Sequence, residues 1–205
     1  MVQAGYAAAF AKAKKQLQEA DPAMLAHQAG VEWDEKNRHF SFTSLGEQYT
    51  VSFPEGNVHK DHTVKAIPKF ALLTLHYLLA KPVPPTGIWV SFKEIPGGTV
   101  YQTPFQNRTT GRLFGKLRNN PDLKPLVHAC QKLSGEKITG GDMAFKFHLF
   151  PYIPLGLVCW KGDEEFPPSG NILFDHNANC FLATEDYAVL GEYLIEQLIA
   201  NLPEK

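Results

Sequence analysis

Cysteine is scarce in this chain. The three present, Cys130, Cys159 and Cys180, are far apart, odd in number and form no C-x-x-C. That fits neither a disulfide framework nor a zinc or iron–sulfur motif, and a reducing compartment, the cytoplasm, is the expectation. Long apolar runs are missing too. The longest, Phe70 to Ala80, is broken by Thr74 and His76 and falls short of the roughly 18 residues a membrane helix needs. No membrane partner is expected. The Ala-rich start lacks the basic-then-apolar order of a secretory signal. Neither sign of charge dominates: 20 Lys and Arg against 21 Asp and Glu leave a net charge of -1. A nucleic-acid partner would call for a basic excess, so none is expected. G-x-S-x-G, H-E-x-x-H, the P-loop and the dinucleotide glycine spacing are all absent.

What is there describes a globular chain with a thick core. Of 205 residues, 44% are hydrophobic and 12% aromatic, with 14 Phe among them. Such a chain can bury a core without staples, and so many rings make an apolar ligand pocket plausible.

Period and punctuation predict the elements. Gln3 to Ala20 reads as an amphipathic helix, and Asp21-Pro22 as the start of a second. Trp33 to Phe42 and Tyr49 to Phe53 read as paired strands joined at Ser44-Leu45-Gly46-Glu47, followed by loop to Asp61. Pro68 opens a helix to Ala80, and Lys81-Pro82-Val83-Pro84-Pro85 stops it. Ile88 to Ile95 reads as a strand, Pro96-Gly97-Gly98 as a hairpin turn and Thr99 to Gln102 as its return. Thr103-Pro104 would begin a helix through Arg118, and Asn120-Pro121 would cap another to Leu133. Ser134 to Gly141 reads as loop. Strands are expected at Ala144 to Phe150, Leu155 to Trp160, Asn171 to Phe174 and Cys180 to Ala183. Thr184 would cap a last helix to Asn201.

Clustered strands predict an α+β fold with a largely antiparallel sheet flanked by helices. One domain, 1–205, is expected, with 1–30 as an N-terminal helical segment. A strand pair, loop and closing helix occur near 31–80 and again near 143–201, which raises a degenerate internal duplication.

Four places could carry chemistry. Trp160-Lys161-Gly162-Asp163-Glu164-Glu165-Phe166-Pro167-Pro168 follows an apolar strand. Its carboxylates could ligate a hard cation or donate a proton, or form a solvated acidic turn. Lys93-Glu94-Ile95-Pro96-Gly97-Gly98-Thr99-Val100-Tyr101 could offer backbone N–H groups to an anion, or be a plain turn. Arg108, Arg112 and Lys116 recur every four residues as a basic stripe. It could hold a phosphate or carboxylate, or pair with the acidic bend. Thr184-Glu185-Asp186 opens the last helix, where acids suit the dipole. His59-x-x-His62, with Asp61 between, is a weak metal pattern, and Asp175, His176 and Cys180 lie close in sequence.

One series resembles a known family. It runs Phe92-Lys93-Glu94-x-Pro96-Gly97-Gly98-x-x-Tyr101, Phe105, Arg108, Gly141-Asp142, Phe150-Pro151-x-x-Pro154, Trp160-x-Gly162-Asp163-Glu164-Glu165-Phe166-Pro167, Phe174-Asp175 and Glu185-Asp186. Together these resemble the uncharacterised DUF3786 family over about residues 30–200. The resemblance implies a setting mainly in anaerobic bacteria and archaea, and no established activity. Some members carry an added iron–sulfur domain, whose cluster motif this chain lacks. The anaerobic setting makes a corrinoid or other tetrapyrrole the cofactor expectation.

The expected function is binding of a small molecule or cofactor. The pocket would be formed by Glu94, Gly97, Gly98, Tyr101, Arg108, Arg112, Trp160, Asp163, Glu164, Glu165 and Asp175. The alternatives are an acid–base or metal-assisted enzyme using Asp163, Glu165 or Glu94 with Arg108, and an accessory protein whose charges form a structural network. The sequence leaves oligomeric state open.

Overall fold

The computed structural model describes residues 2–118 and 123–203. Helix α1 (Val2–Gln18) leads into α2 (Pro22–Ala29). Asp21 caps α2 as expected, its carboxylate accepting from Met24 N, with Pro22 in the first turn and left-handed Gly30 at the other end. Five short strands follow: β1 (Glu32–Asp34), β2 (His39–Ser44), β3 (Glu47–Ser52), β4 (Val58–Lys60) and β5 (Val64–Lys65). They pair antiparallel in chain order. The expected strand 33–42 is thus itself a hairpin, split where the Asp34 carboxylate accepts from Asn37. The expected loop to Asp61 holds β4 and a further turn at Asp61-His62, both at positive φ.

Helix α3 (Pro68–Leu79) opens on its proline as predicted. After the proline-rich linker comes β6 (Trp89–Ser91), then a 3-10 turn, Phe92–Glu94. Here two expectations are corrected. The strand 88–95 ends at Ser91, because Ser91 and Glu94 form a capping box that turns the chain. The Pro96-Gly97-Gly98 hairpin with its return strand is instead a helix start, α4 (Gly98–Arg108), with Pro104 inside it. Gly97 sits at φ 77, and Cβ on Gly98 would lie 1.8 Å from the Phe92 carbonyl oxygen. Only glycine lets the chain double back so tightly.

Helix α5 (Thr110–Leu117) is separated from α4 at Thr109 (φ -111, ψ -101), whose hydroxyl donates to Phe105 O at 2.6 Å. The single helix expected to Arg118 is therefore two. Helix α6 (Lys124–Lys132) follows; its expected cap, Asn120-Pro121, lies outside the described residues. The second sheet adds β7 (Glu136–Lys137), β8 (Met143–Phe150), β9 (Ile153–Trp160) and β10 (Ser169–Asp175), in the order β6-β10-β9-β8-β7, again antiparallel. No strand forms at 180–183: a 3-10 turn, His176–Cys180, is followed by a turn and bend at 181–182, and α7 (Thr184–Ala200) closes the fold. Ala183, not Thr184, occupies the cap position of α7.

The fold is α+β, as the clustered strands predict. Each sheet is followed by a helix, α3 or α7, yet one sheet is a meander and the other joins its first strand to its last. Strand order therefore supplies no repeat. Among the described residues no helix is long and apolar enough to cross a membrane.

One buried cluster draws on both sheets and all the helices between them. Phe70 of α3 is its hub, with ring centroids 4.8 Å from Tyr49, 5.5 Å from Phe150 and 4.5 Å from Tyr193. Truncating such a ring costs about 3–5 kcal/mol. The buried Tyr77 hydroxyl donates to Ala29 O at 2.6 Å and accepts from Tyr152 N at 3.1 Å, which ties α2 to the β8–β9 hairpin. A second aromatic group, Phe92, Phe105 and Phe174, has Phe92 and Phe105 stacked at 4.0 Å. It sits beneath the α4 start and sets the floor of the site.

Candidate functional site

The turn before α4 is fixed from several sides. The Glu94 carboxylate accepts from the Ser91 hydroxyl and from Ser91 N at 2.7 Å. Those two donors, the hydroxyl first, hold its pKa below the usual carboxylate range. Thr99 Oγ1 donates to Lys93 O, and Thr184 Oγ1 donates to Pro96 O at 2.6 Å. This last bond docks the turn on the start of α7. Glu94, Gly97 and Gly98 thereby shape the backbone that places Tyr101 and Arg108.

The basic stripe meets an acidic one on α7. Arg108 Nε lies 3.0 Å from Glu192 Oε1, and Arg112 Nη1 lies 3.4 Å from Glu196 Oε1. Lys69 of α3 pairs with the same Glu196. Arg108 also reaches Pro104 O, at 3.4 Å, again through Nε. Among the described residues its two terminal nitrogens have no partner, and the side chain is 55% exposed. Arg108 borders a hollow of about 290 Å³ between α4 and α7. Phe92, Ala188 and Val189 form its apolar floor, Tyr101, Arg108, Glu185 and Glu192 its rim, and Tyr6 and Thr184 close it.

The acidic bend is elsewhere. Asp163 Oδ1 accepts from Glu165 N at 2.9 Å and Phe166 N at 2.7 Å, and Asp163 N donates to Phe166 O. The bend thus closes on its own backbone. Glu164, Glu165 and Trp160 are exposed. None of residues 160–167 lines the hollow beside Arg108. The expected convergence of bend and arginines on one cavity is replaced by arginines facing α7. A larger hollow of about 460 Å³ lies below Lys124, Lys137 and Lys161, against Asp142, which accepts from Lys161 N at 2.8 Å. Of the predicted site residues it holds none.

Asp175 is 3% exposed and fully engaged. It accepts from Thr86 N and Thr86 Oγ1, both at 2.9 Å, from Gly87 N at 2.7 Å and from Asn177 N at 3.1 Å. Burial alone would raise its pKa; the donors, Thr86 N foremost, outweigh burial and lower it. Asn177 donates to Val83 O and Pro84 O beside it. The pair clamps the proline linker to the end of β10. His59 and His62 stand on β4 and in the following turn. Among the described residues, no group of three or more His, Cys, Asp or Glu is placed to hold a metal ion.

Of the predicted site residues, then, Tyr101 and Arg108 meet in one hollow, with Glu94, Gly97 and Gly98 behind them. Arg112 stands one turn on, while the acidic bend and Asp175 do other work. Sequence reasoning missed Glu192 and the floor residues Phe92, Ala188 and Val189. A signal existed: Glu192 and Glu196 stand four apart, matching the spacing of Arg108 and Arg112.

The fold and hollow define an α+β protein of two antiparallel sheets, with an arginine-rimmed apolar groove between two helices. The model of one family, a domain of unknown function designated DUF3786, matches residues 21–197, and the chain belongs to that family. No curated protein matches it, and no solved structure does.

Proposed function

We propose that the chain binds a small amphipathic anion in the groove between α4 and α7. The observation that carries this reading is that Arg108, whose terminal nitrogens have no partner among the described residues, lines the same hollow as Phe92, Ala188 and Val189. A carboxylate, phosphate or sulfonate can take both nitrogens at once. Its apolar body would cover the floor, and Tyr101, half-exposed, offers a ring face and a hydroxyl at the mouth. Glu192 already holds Nε, so the guanidinium is oriented before a ligand arrives. The volume lies at the small end of ligand pockets, which run ~300–1,000 Å³. A tetrapyrrole remains within the class through its acidic arms; much of its ring would lie outside the groove.

The acid–base and metal-assisted readings draw less support. Asp163 and Glu165 are solvated and border no part of this groove. The network reading has the Arg108–Glu192 and Arg112–Glu196 pairs in its favour, but it leaves the apolar floor unexplained. Native mass spectrometry with an absorption spectrum, on protein purified without air, tests the proposal. A stoichiometric anionic adduct in the parent chain, lost in Arg108→Ala, is the expected result. An adduct of equal occupancy in both chains would overturn it.

A further inference from the structure

The first turn of α7 separates two hollows. Thr184 and Glu185 border the groove discussed above. Ala183 and Asp186 border another, of about 420 Å³, between α1 and the C-terminal end of α3. His76 of α3 stands in its wall, with Nδ1 at 3.0 and 3.1 Å from the two carboxylate oxygens of Asp186. The ring is 32% exposed and the carboxylate 18%. A carboxylate only accepts, so it fixes the proton of the neutral ring on Nδ1 and leaves Nε2 with a free lone pair. Among the described residues nothing bonds to Nε2.

The remaining lining is complementary. Lys12 and Gln16, one turn apart on α1, bring donors to the same hollow, and Leu79, Phe181 and Leu182 supply apolar wall. Asp186, in the first turn of α7, suits that helix dipole without any ligand, and the α3 dipole adds to the pair only once the His76 ring, in the last turn of α3, carries a second proton. That accounts for the carboxylate; an Nε2 without a partner among the described residues, on a ring that lines the hollow, is left over.

We propose that this hollow is a second binding site, for a small apolar-bodied acid that also carries a weakly acidic hydroxyl. Its anionic end meets Lys12 and Gln16, and its O–H meets His76 Nε2. On binding, the O–H bond gives up its proton to Nε2. The ligand keeps the electron pair as a phenolate, and the imidazolium so formed faces Asp186. Asp186 is a positioning residue, holding the ring and its tautomer. The site is independent of the Arg108 groove.

The probe is 4-hydroxy-3-nitrobenzoate, whose phenolate absorbs in the visible, at a pH just below the titration midpoint of the free phenol. The expected result is a saturable rise in phenolate absorbance at one equivalent per chain. His76→Gln should abolish that rise, and Asp186→Asn should shrink it with little change in affinity. Lys12→Met should weaken binding by about tenfold or more, the size of one charge-assisted hydrogen bond. Arg108→Ala should leave it intact, which separates failure of this site from failure of the other. No saturable rise in the parent chain, or a full rise in His76→Gln, overturns the proposal. Should His76→Gln not fold, the exposed Lys12→Met decides, since an unchanged titration there overturns it equally.

Discussion

Replacing Asp175 with Ala should unfold the linker clamp and much of the stability with it. The carboxylate accepts four hydrogen bonds, three from Thr86 and Gly87 and one from Asn177. Bonds to a charged acceptor contribute about 1.5–3 kcal/mol each when taken singly, but they share one carboxylate and do not add. Breaking a buried charged group out of its network costs about 3–5 kcal/mol, and that is the loss expected in urea unfolding. Asp175→Asn keeps one oxygen and presents an N–H to facing donors, so a loss of about 1–3 kcal/mol is expected. The pH dependence has a definite sign. Asp175 has a lowered pKa in the folded state, so its contribution is complete above the unfolded value of about 3.9 and is lost as pH falls through the folded value. The parent chain should lose stability there, and Asp175→Ala should lose that part of the slope. A variant within ~1 kcal/mol of the parent would show that the network does not hold the linker.

Glycine positions give a graded test. Gly98→Ala would drive Cβ into the Phe92 carbonyl and should cost more than about 3 kcal/mol in thermal unfolding. Gly97→Ala, in open space at φ 77, should cost only about 1–2 kcal/mol. Gly115→Ala, with open space within α5, should stabilise by about 0.5–1 kcal/mol. Thiol labelling of the native chain should give one fast equivalent, from exposed Cys180. Burial pushes the Cys130 thiol up to about 12 and raises that of Cys159 further, so both should react only on unfolding; three fast equivalents would contradict the burial.

Much of the architecture was legible because local chemistry and tertiary structure agree. Asp21-Pro22 and Pro68 open helices where a proline's fixed φ and missing N–H do no harm. Strand β8 alternates buried apolar residues with half-buried Lys146 and His148, and β9 is apolar throughout, a pair of patterns that a sheet core absorbs. The failures sit where short-range signals compete. Pro96-Gly97-Gly98 has the composition of a hairpin turn, and only the contact with the Phe92 carbonyl distinguishes a tight helix entry. Thr109 breaks a helix at a non-helical ψ of -101, with its hydroxyl on the Phe105 carbonyl, which no residue pattern announces. The site was half legible for the same reason. Arg108 and Tyr101 stand out as charge and aromatic two turns apart on one helix face, while Glu192 lies 84 residues from Arg108 (192 − 108) and meets it only once α7 packs on α4. The acidic bend, the most eye-catching run, closes on its own backbone through Asp163.

Titration of 1-anilinonaphthalene-8-sulfonate, an apolar-bodied anion, into the parent chain and Arg108→Ala tests the anion groove most directly. The account predicts saturable binding that falls at least about tenfold in the variant, the loss of one charge-assisted contact. The exposed Arg108–Glu192 pair should contribute only about 0–1 kcal/mol, so unfolding should scarcely move. Equal binding by both chains, or a stability loss several times larger, would contradict it.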